Sequence, residues 1–510
     1  MENISNTTYY VDCQVGNDAS SGMAVDQAWQ SVEAINSKVF CPGDRILFHE
    51  GQTFKGGLKL HGSGKEGAPV VIDSYRVEAG TVKIGEGTKP IIEGQGKVLY
   101  AVHLHNEAFW EINRLEVTNQ GETPLEGRTG IMVSADEAFD QIHGGTVEHI
   151  YLNDVFVRDV NGHPEIKDQH NGGIFYCINS EDVARPLIFK DIVIENCHVK
   201  NVHRTGISVG GTKCGSKIVG DDLSIWKSEE IKGYLHQDII IRNNYIECVG
   251  GDALVPMYSY KPLIEHNTSQ EASIDTKGQP NLMYNAAIWP WQCYEAVFQY
   301  NEAFRTYLNG DGQAYDCDWS FGTLYQYNYS HDNQGGFMLV CQKNAIQSKI
   351  QNNISYNDQR CIFMTSNVQP AYVENNIVYI GKHLETTLFS PDKGPIVFEN
   401  NVFYKEGESI VVDWHEEENS YDGNYYKGFE KLPEDGKEAA LIQLEELVEL
   451  ADLQAQLGSE RDEEALHKAW QEENERRRLK LENGTHVYGC KQYTFEQYKA
   501  YVESNRELLK

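Results

Sequence analysis

Along most of the chain, short apolar–x–apolar segments alternate with asparagine and a second short apolar segment. The fragments IIIRNN, PLIEHN, VFQYN, TLYQYN, KIQNN, YVENN and VFENN align on their last asparagines at 244, 267, 301, 328, 353, 376 and 401. The steps between them are 23, 34, 27, 25, 23 and 25 residues. A period near 24 with occasional insertions predicts one coil of a parallel β-solenoid per repeat. Asparagine suits the recurring turn because it tolerates left-handed backbone angles and its amide can bond its equivalents one coil away.

A second column orients the side chains. GIMVS (130–134), GIFYC (173–177), GISVG (206–210), ALVPM (253–257), AIWPW (287–291), AYDCD (314–318), FMLVC (337–341) and CIFMT (361–365) stack so that the second and fourth places face inward. These places include Ile131 and Val133, Ile288 and Pro290, Tyr315 and Cys317, Met338 and Val340, and Ile362 and Met364. Strand alternation then sends the third and fifth places outward. In the stack, Trp289 and Trp291 fall one coil, about 4.8 Å, from Asp316 and Asp318. Two exposed indoles beside two carboxylates predict a carbohydrate cleft.

From about residue 437 the period becomes helical, with Leu441, Leu444, Val448, Ala451 and Ala455 on one face and Gly458 as a stop. The expected organisation is therefore an N-terminal cap with first coils over 1–100, an all-β parallel helix over 101–430, and a C-terminal α-helical appendage over 431–510. The appendage covers the last open coil or makes a homo-oligomeric contact, since a solenoid edge must be covered.

Charge narrows the partners. The net charge of −32 would repel nucleic acid and anionic membranes. No run of 18 apolar residues exists, and the start MENISNTTYYV has neither a basic nor an apolar signal region. The eleven cysteines are scattered and never spaced as CxxC, which fits reduced thiols and a cytoplasmic expectation, or secretion if a signal has been removed.

The stretches YYVDCQVGNDASSG, CPGDRILFHEGQTFKGG and KPIIEGQG resemble the cap and first coils of right-handed pectate-lyase-like β-helix proteins. NGDGQAYDCDWS and QYNYSHDNQGGFMLVC resemble bacterial β-helix glycosidases of glycoside hydrolase families 141 and 120. The resemblance covers roughly residues 7–415. Family 120 carries an inserted sandwich for which this chain has no room after residue 100. Family 141 is therefore the better match, and it implies fucosidase- or xylanase-type activity.

Glycoside hydrolysis needs two carboxyl groups flanking the bond. Asp316 or Asp318 is the first candidate, because carboxylates crowded at alternate positions push one proton affinity upward. Asp358, then Asp311 and Asp332, are candidate partners. Asp311, Gln334 and Asp358 form one column in the stacking register, with Asp311 and Asp358 two coils apart. Trp289 and Trp291 are the candidate sugar platform, with His331, Asp252, Arg204 and His203 as further substrate contacts. No cofactor or metal is implied. The alternatives are a calcium-dependent polysaccharide lyase, with Asp311, Asp316 and Asp318 around the cation, and a non-catalytic carbohydrate-binding solenoid. No Lys or Arg on the neighbouring strand faces supplies the base a lyase needs. The reading is an exo-acting hydrolase of plant-type oligosaccharides.

Overall fold

The computed structural model describes residues 6–434 except 140–144, 164–170, 213–228, 275–283, 309 and 383, together with the strand Lys437–Glu438. Two compact units are present, residues 1–263 with 269–294 and residues 264–268 with the chain from 295 onward. Each is a stack of parallel coils, and each coil contributes to three sheets. This is the architecture of a parallel β-helix.

In the first unit one sheet runs through Thr8–Val11, Arg45–His49, Val70–Glu78, Trp110–Asn113, Thr146–Asn153, Ile188–Glu195 and His236–Arg242. A third sheet stacks Tyr100–His105, Thr129–Ala135, Gly172–Ile178 and Thr205–Thr212. Its register pairs Ile131 with Ile174, Ile174 with Ile207 and Ile207 with Leu254, and a bridge joins Leu254 to Ile288. The inward column read from the sequence is thus correct there. The outward face is less open than strand alternation suggests: Met132, Phe175 and Cys177 form a buried apolar cluster with Tyr100 against it.

In the second unit the recurrent asparagines form a continuous ladder. Asn328 donates its backbone N–H and its side-chain Nδ2 to Oδ1 of Asn353, at 2.9 and 3.0 Å. Asn353 repeats this with Asn376, Asn376 with Asn401, and Asn401 with Asn424. Asn267 and Asn301 begin the same ladder. The left-handed conformation belongs to the residue before each rung: His266, Tyr300, Tyr327, Asn352, Asn375 and Asn400 all have φ near +60°. Turn and ladder are therefore divided between two neighbouring positions.

One register differs from expectation. The strand Gly336–Cys341 pairs with Cys361–Thr365 so that Met338 faces Phe363, Leu339 faces Met364 and Val340 faces Thr365. Phe363, not Ile362, shares Met338's face, and its ring packs edge-on against Phe398 at 5.3 Å. A one-residue slip reverses every side chain of a strand. It also moves Asp358 out of the column of Asp311 and Gln334.

Lys437 pairs with Tyr425, so strand structure runs past the expected start of the helical segment. The helices expected beyond it, with their oligomer contact, lie outside the described residues. Among the described residues no helix is long and apolar enough to cross a membrane.

Removing one rung tests the ladder. Asn353→Ala removes the acceptor of the Asn328 backbone N–H and of one of its two Nδ2 hydrogens, and the side-chain donor to the Tyr325 carbonyl, in the interior. At about 1–3 kcal/mol for each buried group left unsatisfied, denaturant titration should show a loss of several kcal/mol. A loss below about 0.5 kcal/mol would mean the ladder does not hold the register.

Candidate active site

The strand Gln313–Asp318 alternates as a solenoid strand must. Tyr315 and Cys317 are fully buried, and the Tyr315 hydroxyl lies 3.0 Å from the carbonyls of both Asn301 and Tyr329. Asp316 and Asp318 occupy the other face. Asp318 is half-buried, whereas Asp316 is only 4% exposed, so this outer face is enclosed around it. The backbone is fixed from both directions: the Tyr325 hydroxyl donates to the Asp316 carbonyl at 2.7 Å, and the Ser320 hydroxyl donates to the Asp318 carbonyl at 2.8 Å.

Across the ladder Asp316 pairs with Leu339 and Asp318 with Cys341. Burial first, then the negative charges of Asp316, Asp318 and Asp311, push the Cys341 thiol far above its ordinary range. Cys341 therefore stays protonated. Asp311 is itself buried, next to Gly310, whose carbonyl accepts from the Arg360 guanidinium at 2.6 Å. Among the described residues no three His, Cys, Asp or Glu side chains are arranged to hold a metal ion.

Trp319, directly after Asp318, has φ of +41°, where a residue with a Cβ costs about 1–2 kcal/mol. It is half-buried, and its indole N–H donates to Gln342 Oε1 at 3.0 Å. Gln342 is the residue after Cys341 and is also left-handed, at φ +63°. Neither Trp319 nor Cys341 was among the sequence candidates. Adjacency to the DxD segment marks the first, and the register opposite Asp318 marks the second.

Asp358 lies in the interior. Its Oδ2 accepts from the hydroxyls of Ser330 and Ser355 at 2.6 Å, and its Oδ1 accepts from the backbone and Nδ2 of Asn333 at 3.0 and 2.8 Å. Asn333 in turn accepts from the Thr306 N–H. Asp358 thus ends a short second ladder and is not in a column with Asp311. Burial, partly offset by these bonds, raises its pKa to about 6.

His331 is buried between Phe304 and Tyr329, stacked at 4.6 Å on each. Its nitrogens lie 2.8 Å from Asp332 and 3.4 Å from Glu302. Burial pushes the imidazole pKa down, but the bonds and charges of Asp332 and Glu302 outweigh it and the net direction is up. Asp332 is therefore engaged as the His331 partner. Glu302, the buried carboxylate beside His331, was not among the sequence candidates.

The remaining candidates belong to the first unit. Arg204 and Asp252 form a fully buried ion pair at 2.8 Å, and Arg204 also donates to Asn285. Trp289 is buried, and its indole N–H donates to Asp252 at 2.9 Å. Trp291 is half-buried, with its N–H on the Tyr258 hydroxyl at 3.2 Å and its ring perpendicular to Trp289. His203 is buried against the Gly162 carbonyl. The two indoles were expected as an exposed platform. The structure instead gives each N–H a side-chain partner and puts Trp289 inside a polar network, which is how a buried indole satisfies its donor.

No protein-family model matches the chain. It is 29% identical over 509 aligned residues to a lacto-N-biosidase from Bifidobacterium longum subsp. longum, covering 84% of this chain and 31% of that protein. The chain thus spans about a third of its curated relative. Two crystal structures of a family 136 (GH136) lacto-N-biosidase from Eubacterium ramulus, native and selenomethionine, match with a TM-score of 0.67 and 29% identity. Each match covers 78% of this chain and 67% of the solved chain. The likeness is to glycoside hydrolase family 136 and not to families 141 or 120. The stretches that suggested the latter follow the coil repeat, which β-helix families share.

Asp358→Asn separates a ladder residue from a catalytic one. The folded pKa lies above the ordinary 3.8, so the fold binds the extra proton and loses stability as pH rises from about 4 to 6, and the cost persists at neutral pH. The amide keeps the bonds from Asn333 and donates to the two serines. At pH 7 the variant should gain up to about 3 kcal/mol, lose the pH dependence in that window, and keep its turnover. Turnover reduced by orders of magnitude would return Asp358 to the catalytic set.

Proposed function

We propose that this chain is a glycoside hydrolase that cleaves lacto-N-biosides, using the carboxylates gathered on the strand Gln313–Asp318 and at Asp311. Two carboxylates, Asp316 and Asp318, on the outer face of one strand, with Asp311 buried just before it, carry this reading. The similarity to proteins named lacto-N-biosidases at both sequence and structure level supports the substrate class. The xyloside- or fucoside-like substrate expected from the sequence rested on families 141 and 120 and is replaced accordingly.

Hydrolysis needs one carboxylic acid to protonate the leaving oxygen and one carboxylate to attack the anomeric carbon or activate water. Asp318, half-buried and opposite Cys341 in the sheet register, is one member. Asp311 or Asp316 is the other, and their mutual repulsion favours keeping one of the group protonated. A strand held at both its carbonyls suits the positional demands of this chemistry.

A nitrophenyl lacto-N-bioside, assayed beside the xyloside and fucoside, tests the substrate. Only the first should release nitrophenol, and no unsaturated uronate should absorb at 235 nm. Asp318→Asn and one of Asp311→Asn or Asp316→Asn should lose about a thousandfold in kcat, near 4 kcal/mol of barrier, with melting temperatures close to wild type. If all three variants keep more than about a tenth of wild-type turnover, the site lies elsewhere.

A further inference from the structure

We infer that Trp319 is the aromatic wall against which the sugar ring bound at Asp318 packs, a specificity-determining contact of this site. The inference rests on the hydrolase reading of the acid strand. Trp319 follows Asp318 directly in the chain and is half-buried, so part of its surface reaches solvent. Its N–H is committed to Gln342 at 3.0 Å, which fixes the plane of the indole before any ligand arrives. A pyranose presents an apolar face of C–H groups that packs on such a ring, and a ring already held in place loses little freedom on binding.

The corner after this strand requires φ of +41°, a conformation that glycine adopts freely and a residue with a large Cβ substituent resists.

Trp319→Gly gives the two roles opposite outcomes. If the indole serves the sugar, glycine relieves the corner: the melting temperature holds or rises while KM for the nitrophenyl lacto-N-bioside increases roughly tenfold to a hundredfold. Trp319→Phe, which keeps a ring, should retain most of the affinity. In the Asp318→Asn background, addition of free lacto-N-biose should change the tryptophan fluorescence, and Trp319→Phe should abolish that change. If Asp318→Asn is inactive but Trp319→Gly leaves KM within about twofold and lowers the melting temperature, the indole is corner packing and this inference alone fails. If Asp318→Asn turns over normally, the reading of the acid strand fails first.

Discussion

The asparagine ladder is the constraint on which the second unit depends. In each rung one side-chain oxygen accepts both N–H groups of the asparagine below, and the amide nitrogen also donates to a backbone carbonyl, as from Asn353 to Tyr325. These groups are buried, so a coil displaced by one residue would strand several donors in the interior at once. The ladder therefore locks the rise between coils, and everything outside it inherits that register. Asp318 stands opposite Cys341 because the coils beneath them cannot slide.

This rigidity makes an unfavourable arrangement of charge possible. Asp311, Asp316 and Asp318 each act on the same thiol, and their mutual repulsion opposes the enclosure of Asp316. A loop would relieve such crowding by moving. Here the Asp316 and Asp318 carbonyls are held by Tyr325 and Ser320. Burial first, then these charges, keep the Cys341 thiol protonated, and a thiol held protonated is a poor nucleophile.

The period, the inward column of the first unit and the ladder asparagines were legible because each depends on local pattern repeated many times. The slip at Phe363 was missed because apolar matching aligned CIFMT with FMLVC, and both contain enough apolar residues to fit either way. Counting from the ladder resolves it. Met338 lies ten residues after Asn328, and Phe363 lies ten after Asn353. The same counting places Thr306, Asn333 and Asp358 five residues after successive rungs, where the second ladder is found. Other features were not legible, because burial of the outer face depends on segments far along the chain. Nothing near Trp289 announces that Asp252 receives its N–H.

The two kinds of tryptophan in this chain show why burial, and not residue type, decides between scaffold and site. Trp289 has its N–H on a carboxylate that is itself paired with Arg204, so removing the ring would disturb a buried charge network as well as leave a cavity. Trp319 has its N–H on a neutral glutamine at the rim and occupies a corner whose backbone favours glycine. The first indole contributes to the interior that surrounds it. The second occupies a left-handed corner and donates its N–H to Gln342 of the next coil. A fold whose register is already fixed by a ladder can carry the local cost of that corner.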